Sequence, residues 1–152
     1  MAEFFWPTRV YYEDTDNGGV VYYANYLKFM ERARTEWLRA RGVEQDVLAQ
    51  QHGLIFAVRT AHIDYLKPAR FNQLLSVSVK VIKVGRASLI FDQTVVLTES
   101  VTDNLITHEG DDTRESGVLL CRGQIKIACL NSDSLKPCAI PTPIRQEILG
   151  DD

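Results

Sequence analysis

The chain has 152 residues, 24% of them charged, with a formal net charge of −3 and a pI near 5.6. That length suits one domain whose core needs no disulfide or metal staple, and the charge balance excludes a disordered tail protein and a dedicated nucleic-acid binder. No apolar run approaches the roughly 20 residues of a membrane span, MAEFFWPTRV lacks the basic start and apolar stretch of a signal peptide, and three cysteines without a CxxC read as reduced thiols of a cytoplasmic protein.

Trp6–Tyr12 is aromatic and β-branched and predicts a strand. The turn residues Glu13-Asp14-Thr15-Asp16-Asn17-Gly18-Gly19 break it. Tyr26, Phe29, Met30, Ala33, Trp37 and Ala40 then recur at spacings of three and four, which predicts a long amphipathic helix. Its polar side offers the pairs Arg32–Glu36 and Glu36–Arg39. Asn25 is placed to cap the start and Gly42 to stop the end. A weaker helical stretch covers Glu44–His52 and ends at Gly53.

From Leu54 the period becomes two, and Leu54–Tyr65 predicts a long strand stopped by Lys67-Pro68-Ala69-Arg70. Leu75, Val77, Val79 and Val81 alternate with Ser76, Ser78 and Lys80 as a half-buried strand. Lys83-Val84-Gly85-Arg86 predicts a tight connection to a strand through Leu89, Phe91, Val95 and Leu97. On the last strand Leu119, Cys121, Ile125, Ile127 and Cys129 alternate with Arg122, Gln124 and Lys126, and Gly123 suggests a bulge or bend. The acid-rich stretch 100–116 reads as an exposed, mobile hairpin loop, and a short helix near Ile144–Leu149 closes the chain. One striped helix and sequential long strands predict an α+β domain, the helix laid across an antiparallel sheet.

Four acceptor side chains crowd into Glu13–Asn17. A calcium loop starting at Asp14 would need a ligand at Gly18 and a bidentate Glu at Asn25, so the spacing does not fit an EF-hand. Asp-Asn-Gly is also ordinary turn chemistry. The turn, however, leads straight into the helix start, whose free N–H groups suit an oxyanion. It sets Asp16 close to those donors, and a carboxylate beside an oxyanion site serves ester or thioester hydrolysis as general base or nucleophile. His52, His62 and His108 have no spacing for a metal site or triad, and Ser88 lacks a G-x-S-x-G context. The reading therefore assigns no metal and no cofactor. Tyr11, Tyr12, Tyr22, Tyr23 and Tyr26 are candidates for an acyl pocket or for plain core.

The run Y-x-E-D-T-D-x-x-G-V-V-Y, followed by A-N-Y-L and E-R-A-R-T-E and then by YLKPAR, GRASLIF and LKPCAIP, resembles hotdog-fold acyl-CoA thioesterases of the 4-hydroxybenzoyl-CoA thioesterase family, in particular the Tol–Pal-associated branch. The resemblance implies a single hotdog thioesterase domain over 1–152, with a long central helix wrapped by a curved antiparallel sheet, assembled as a homodimer or homotetramer. It implies hydrolysis of a small-to-medium acyl-CoA to free acid and coenzyme A. Asp16 matches the family's catalytic carboxylate, the backbone N–H of Tyr23 its oxyanion donor, and Gly19 the glycine that lets the substrate carbonyl approach. Arg86 and Ser88 match the region that contacts coenzyme A phosphates; Lys83, Arg70 and Lys67 are candidates on charge alone. The Tol–Pal-associated branch usually carries histidine where this chain has Tyr23, so a backbone role survives and a histidine side-chain role does not. The alternative is a non-hydrolytic module that binds acyl-CoA or an acyl-carrier protein; a carboxylate facing the oxyanion donors favours the enzyme.

Overall fold

The computed structural model describes residues 3–99 and 117–150; the acidic loop predicted at 100–116 lies outside them. In chain order the elements are β1 (Phe4–Arg9), a 3-10 turn (Tyr12–Asp14), α1 (Asn25–Ala40), α2 (Gln45–Val47) continued by a π-helical turn (Leu48–His52), β2 (Leu54–Tyr65), β3 (Leu74–Val84), β4 (Ser88–Glu99), β5 (Val118–Asn131) and α3 (Thr142–Leu149). The first strand stops three residues earlier than its composition predicts. The Asp14 carboxylate accepts the Tyr11 N–H at 2.8 Å and winds the following residues into the 3-10 turn. Gly42 and Gly53, at φ +84° and +65°, end their helices as expected.

Asn25 does not cap α1. Ala24 precedes the helix in an α-helical conformation without a side-chain bond, and Asn25 is the first helical residue. On the polar face Glu36 pairs with Arg39 at 2.6 Å, and Arg39 also approaches Glu44 at 3.5 Å. The predicted Arg32–Glu36 pair does not form, because Arg39 already holds that carboxylate.

The five strands make one antiparallel sheet in the order β1-β3-β4-β5-β2. β2 therefore leaves its sequence neighbour β3 and pairs with β5 at the far edge. Register shifts at Val58/Thr60, Val81/Lys83 and Val95/Val96 mark bulges, which bend a sheet and raise its twist. α1 packs mainly on β3, with β1 and β4 beside it. Phe29, Met30, Ala33 and Trp37 face Val77, Val79, Leu89, Phe91 and Ile125, all buried. The Trp37 and Phe91 rings meet edge to face at 5.4 Å.

Gly123 does not bulge. Its register continues unbroken between Gln93 and Ile63, and a methyl group there would lie 2.6 Å from Ile63 Cδ1 and 3.1 Å from Met30 Sδ. The glycine instead lets helix and sheet close on each other.

Arg34, outside the predicted apolar stripe, is also buried, at 7% exposure. Burial lowers its pKa to about 10, against the opposing pull of Glu31. Its Nη1 donates to Gln93 Oε1 at 3.0 Å. Gln93 Nε2 donates in turn to the carbonyls of Met30 and Ser78 at 3.2 and 3.1 Å. Gln93→Leu should therefore destabilise the fold by about 3 kcal/mol, since it strands a buried cation. Adding Arg34→Leu should recover part of the loss. Urea unfolding of the two variants checks this; a neutral Gln93→Leu would contradict it.

Candidate active site

Residues 15–21 form a small hairpin closed by the Thr15–Val21 bridge. Within it Asp16 N–H donates to the Val20 carbonyl at 2.9 Å, and Gly19 N–H donates to the Asp16 carbonyl at 3.1 Å. Gly19 holds φ +79°, which a side chain resists, and the space a Cβ would enter is open. The Asp16 carboxylate is exposed. Its Oδ1 accepts the Gly18 N–H at 2.8 Å, an Asx turn that orients the group. Asp14 is different: it is 6% exposed, its carboxylate serves Tyr11, and its carbonyl accepts Tyr22 N–H at 3.0 Å and Asn25 Nδ2–H at 2.9 Å. Of the two aspartates, Asp14 is thus built into the backbone, while Asp16 is exposed with one oxygen held by the Gly18 N–H.

At the start of α1 the N–H groups of Asn25, Tyr26 and Leu27 donate to the carbonyls of Tyr22, Tyr23 and Ala24. The N–H groups of Tyr23 and Ala24 find no acceptor among the described residues. They are donors at the positive end of the helix. Beside them Val21, Tyr23, Tyr26, Tyr65, Lys67 and Pro68 line a cleft of about 240 Å³. Tyr65 meets Tyr23 edge to face at 5.9 Å and lies tilted against Tyr26 at 5.6 Å. Burial raises the phenol pKa of Tyr26 and Tyr65, so both remain neutral hydroxyls at ordinary pH. Tyr26 Oη accepts the Ala69 N–H at 2.9 Å. The Val20–Arg70 bridge and the bond from Val21 N–H to the Ala69 carbonyl, 2.8 Å, hold the 66–70 loop against the hairpin. The hairpin that carries Asp16 and Gly19 is thus joined to the loop that carries Lys67 and Arg70, and Tyr23 and Lys67 share the cleft wall. Tyr11 and Tyr12 do not join them; Tyr12 stacks on Phe71 at 4.0 Å in a separate cleft. Tyr65 was not among the sequence candidates, although its parity with Ile63 on β2 marks it for the same face.

Arg86, Ser88 and Lys83 sit elsewhere. Gly85 N–H closes the β3–β4 turn on the Ser88 carbonyl at 2.8 Å. The chain's last segment braces that turn: Ile140 N–H donates to the Arg86 carbonyl at 2.9 Å and Arg145 Nη1 to the Gly85 carbonyl at 2.8 Å. Lys83 lies in β3 opposite Ile90 rather than in the connection. This turn and the Arg70 loop are at opposite ends of β3, whose eleven residues span about 33 Å. Within one chain the structure does not bring Arg86, Ser88 and Lys83 to Asp16.

Residues 18–102 match the family model of the thioesterase superfamily. The chain belongs to that superfamily. It is 37% identical over 142 residues to an acyl-CoA thioesterase of Haemophilus influenzae, covering 93% of this chain and 91% of the relative. The crystal structure of a probable thioesterase from Bartonella henselae is 31% identical, with a TM-score of 0.75 over 92% of this chain and 100% of that one. A 1,4-dihydroxy-2-naphthoyl-CoA thioesterase from Synechocystis, 22% identical, shares the fold at a TM-score of 0.81 over 99% and 98% of the two chains. The α+β hotdog expectation holds. No helix among the described residues is long and apolar enough to cross a membrane.

Cys121 is buried opposite Tyr65 in the register, and Cys129 is buried further along β5. Burial pushes both thiols up to about 12, with Cys138 adding to the shift of Cys129. Neither supplies a thiolate nucleophile at neutral pH. With iodoacetamide at pH 8, the half-buried Cys138 should alkylate first, and Cys121 and Cys129 only on unfolding; peptide mass spectrometry over time reads the order.

Proposed function

We propose that the protein hydrolyses the thioester of small-to-medium acyl-coenzyme A molecules, releasing the free acid and coenzyme A. What supports the reading is an exposed, oriented Asp16 carboxylate in the hairpin that leads into α1, together with unpartnered helix-start amides and the aromatic cleft that Tyr23 lines. Asp16 acts on the thioester carbonyl either by taking a proton from attacking water or by attacking it directly, which breaks the carbon–sulfur bond, expels the coenzyme A thiolate and leaves an acyl–aspartyl anhydride that water cleaves to the free acid. In the water route, hydroxide adds to the carbonyl carbon, the carbon–sulfur bond breaks, and the proton passes to the departing thiolate. The Tyr23 N–H donates to the oxyanion that forms in between. Gly19 leaves room for the carbonyl, and the apolar cleft takes the acyl group. The superfamily match and the Haemophilus influenzae relative support this chemistry. A cytoplasmic setting, where thiols stay reduced, suits the three free cysteines.

The working unit is at least a homodimer joined along β2. Val58, at 53% exposure, and Thr60, Ala61 and His62 are exposed on a strand that also forms the sheet edge. Such an edge needs cover. Two copies pairing β2 about a two-fold axis set the Tyr65 end of one strand against the Leu54 end of the other. Tyr65 belongs to the Asp16 end, whereas Ala57 reaches Ser88 through Ala128. The two-fold thus carries the Arg86 turn of one copy toward the Asp16 hairpin of the other, and Arg86 and Ser88 then meet the nucleotide phosphates, with Lys83 beside them. Lys67 and Arg70 already flank the hairpin.

Three measurements test this. Asp16→Asn, folded by circular dichroism, should lose about 10²–10⁴-fold in kcat on acyl-CoA; retention of more than a tenth of the activity would remove Asp16 from the chemistry. Arg86→Ala should raise KM for full acyl-CoA with little change in kcat, and should leave a truncated thioester without the nucleotide unaffected. Light scattering should give a dimer or tetramer, and a fully active monomer at micromolar concentration would overturn the shared site.

A further inference from the structure

We propose that Asn25 is a positioning residue that holds the Asp16 carboxylate in register with the free amides at the start of α1; the proposal rests on the thioesterase reading above. Asn25 is buried, yet its side chain does not serve the helix as a cap. Its Nδ2 donates across the loop to the Asp14 carbonyl at 2.9 Å. The same oxygen accepts Tyr22 N–H at 3.0 Å. The two donors straddle Tyr23 and Ala24, whose N–H groups are unpartnered among the described residues. The loop that carries the proposed oxyanion donors is therefore clamped at both ends onto one carbonyl, and that carbonyl lies two residues before Asp16.

Donors and carboxylate accordingly belong to one closed ring, residues 14–25, with the Asn25 amide as its only side-chain rivet to the Asp14 carbonyl among the described residues. Without Asn25 the Asp14 carbonyl would keep only the Tyr22 N–H, and the ring would be open at its helix end. Asparagine suits the position because it is short enough to reach from the first helical residue and presents a neutral donor. A carboxylate of the same shape would oppose the carbonyl oxygen. The free acceptor and the donors then keep their spacing while the carbonyl of the substrate becomes tetrahedral, the condition under which positioning contributes to rate rather than to binding.

The test is a double-mutant cycle on the full-length protein with a short-chain acyl-CoA. Asn25→Ala should lower kcat about 10- to 100-fold and leave KM within about two-fold. In an Asp16→Asn background the same change should cost less than about two-fold, because the partner it positions is already gone. Asn25→Asp keeps the side-chain shape without the donor and carries the same cycle if the alanine variant does not fold. Unchanged kcat, a loss confined to KM, or losses that multiply independently of Asp16 would overturn the positioning role. Failure of both Asn25 variants to fold would overturn it too, assigning Asn25 to folding. An Asp16→Asn protein with near-normal turnover would instead overturn the thioesterase mechanism, whatever Asn25 does.

Discussion

A guanidinium enclosed between a helix and a sheet dictates where the helix sits. Arg34 carries its charge at 7% exposure, and the side chain that answers it is Gln93, whose amide also reaches the Met30 and Ser78 carbonyls. Those contacts span α1, β3 and β4, and they are directional where the surrounding Phe29, Phe91 and Val79 are not. Apolar packing alone tolerates sliding of a helix along a sheet; a buried cation with one neutral acceptor does not. Each residue of slip moves a helix end by about 1.5 Å, comparable with the displacement that spoils a reacting geometry. The amides of Tyr23 and Ala24 lie at that end, so the core network and the site are mechanically one object.

The proposed chemistry is divided along the sheet. Carboxylate, amides and aromatic cleft lie beside the 66–70 loop, while the cationic β3–β4 turn stands at the far end of β3, braced by Ile140 and Arg145. Coenzyme A is a long molecule with its charges remote from its thioester, and in the proposed dimer a sheet edge continued into a second copy would span it. The edge strand β2 touches both ends of this layout, Tyr65 at the cleft and Ala57 across Ala128 from Ser88.

What periodicity encodes was legible in the sequence. β2 runs from Leu54 to Tyr65 as the alternation indicated, and Tyr26, Phe29, Met30, Ala33 and Trp37 are all buried, whereas Ala40, the last residue of the predicted stripe, is exposed at the helix end. Three features escaped because they depend on contacts distant in sequence. Arg34 reads as polar surface until Gln93, far along the chain, supplies its acceptor. Gly123 reads as a bulge until Ile63 and Met30 are seen against it. Asn25 has the composition of a cap, but the Asp14 carbonyl competes for its side chain. At the candidate site, the motif singles out Asp16 as the proposed carboxylate, whereas its separation from Arg86 within one chain follows from strand order, which local pattern does not carry.

That strand order also has a consequence for how the chain is made. β2 emerges from the ribosome next to β3 but cannot pair with it; its partner β5 follows only after about fifty further residues, several seconds later at ordinary rates of synthesis. During that interval Leu54-Ile55-Phe56-Ala57-Val58 is a β-prone apolar segment without a ladder. Arg59, His62 and Asp64 follow it directly in the same strand, and polar groups so placed discourage a waiting strand from pairing with a neighbouring nascent chain. The exposed half of β2 thus also guards its apolar half while the partner strand is still missing.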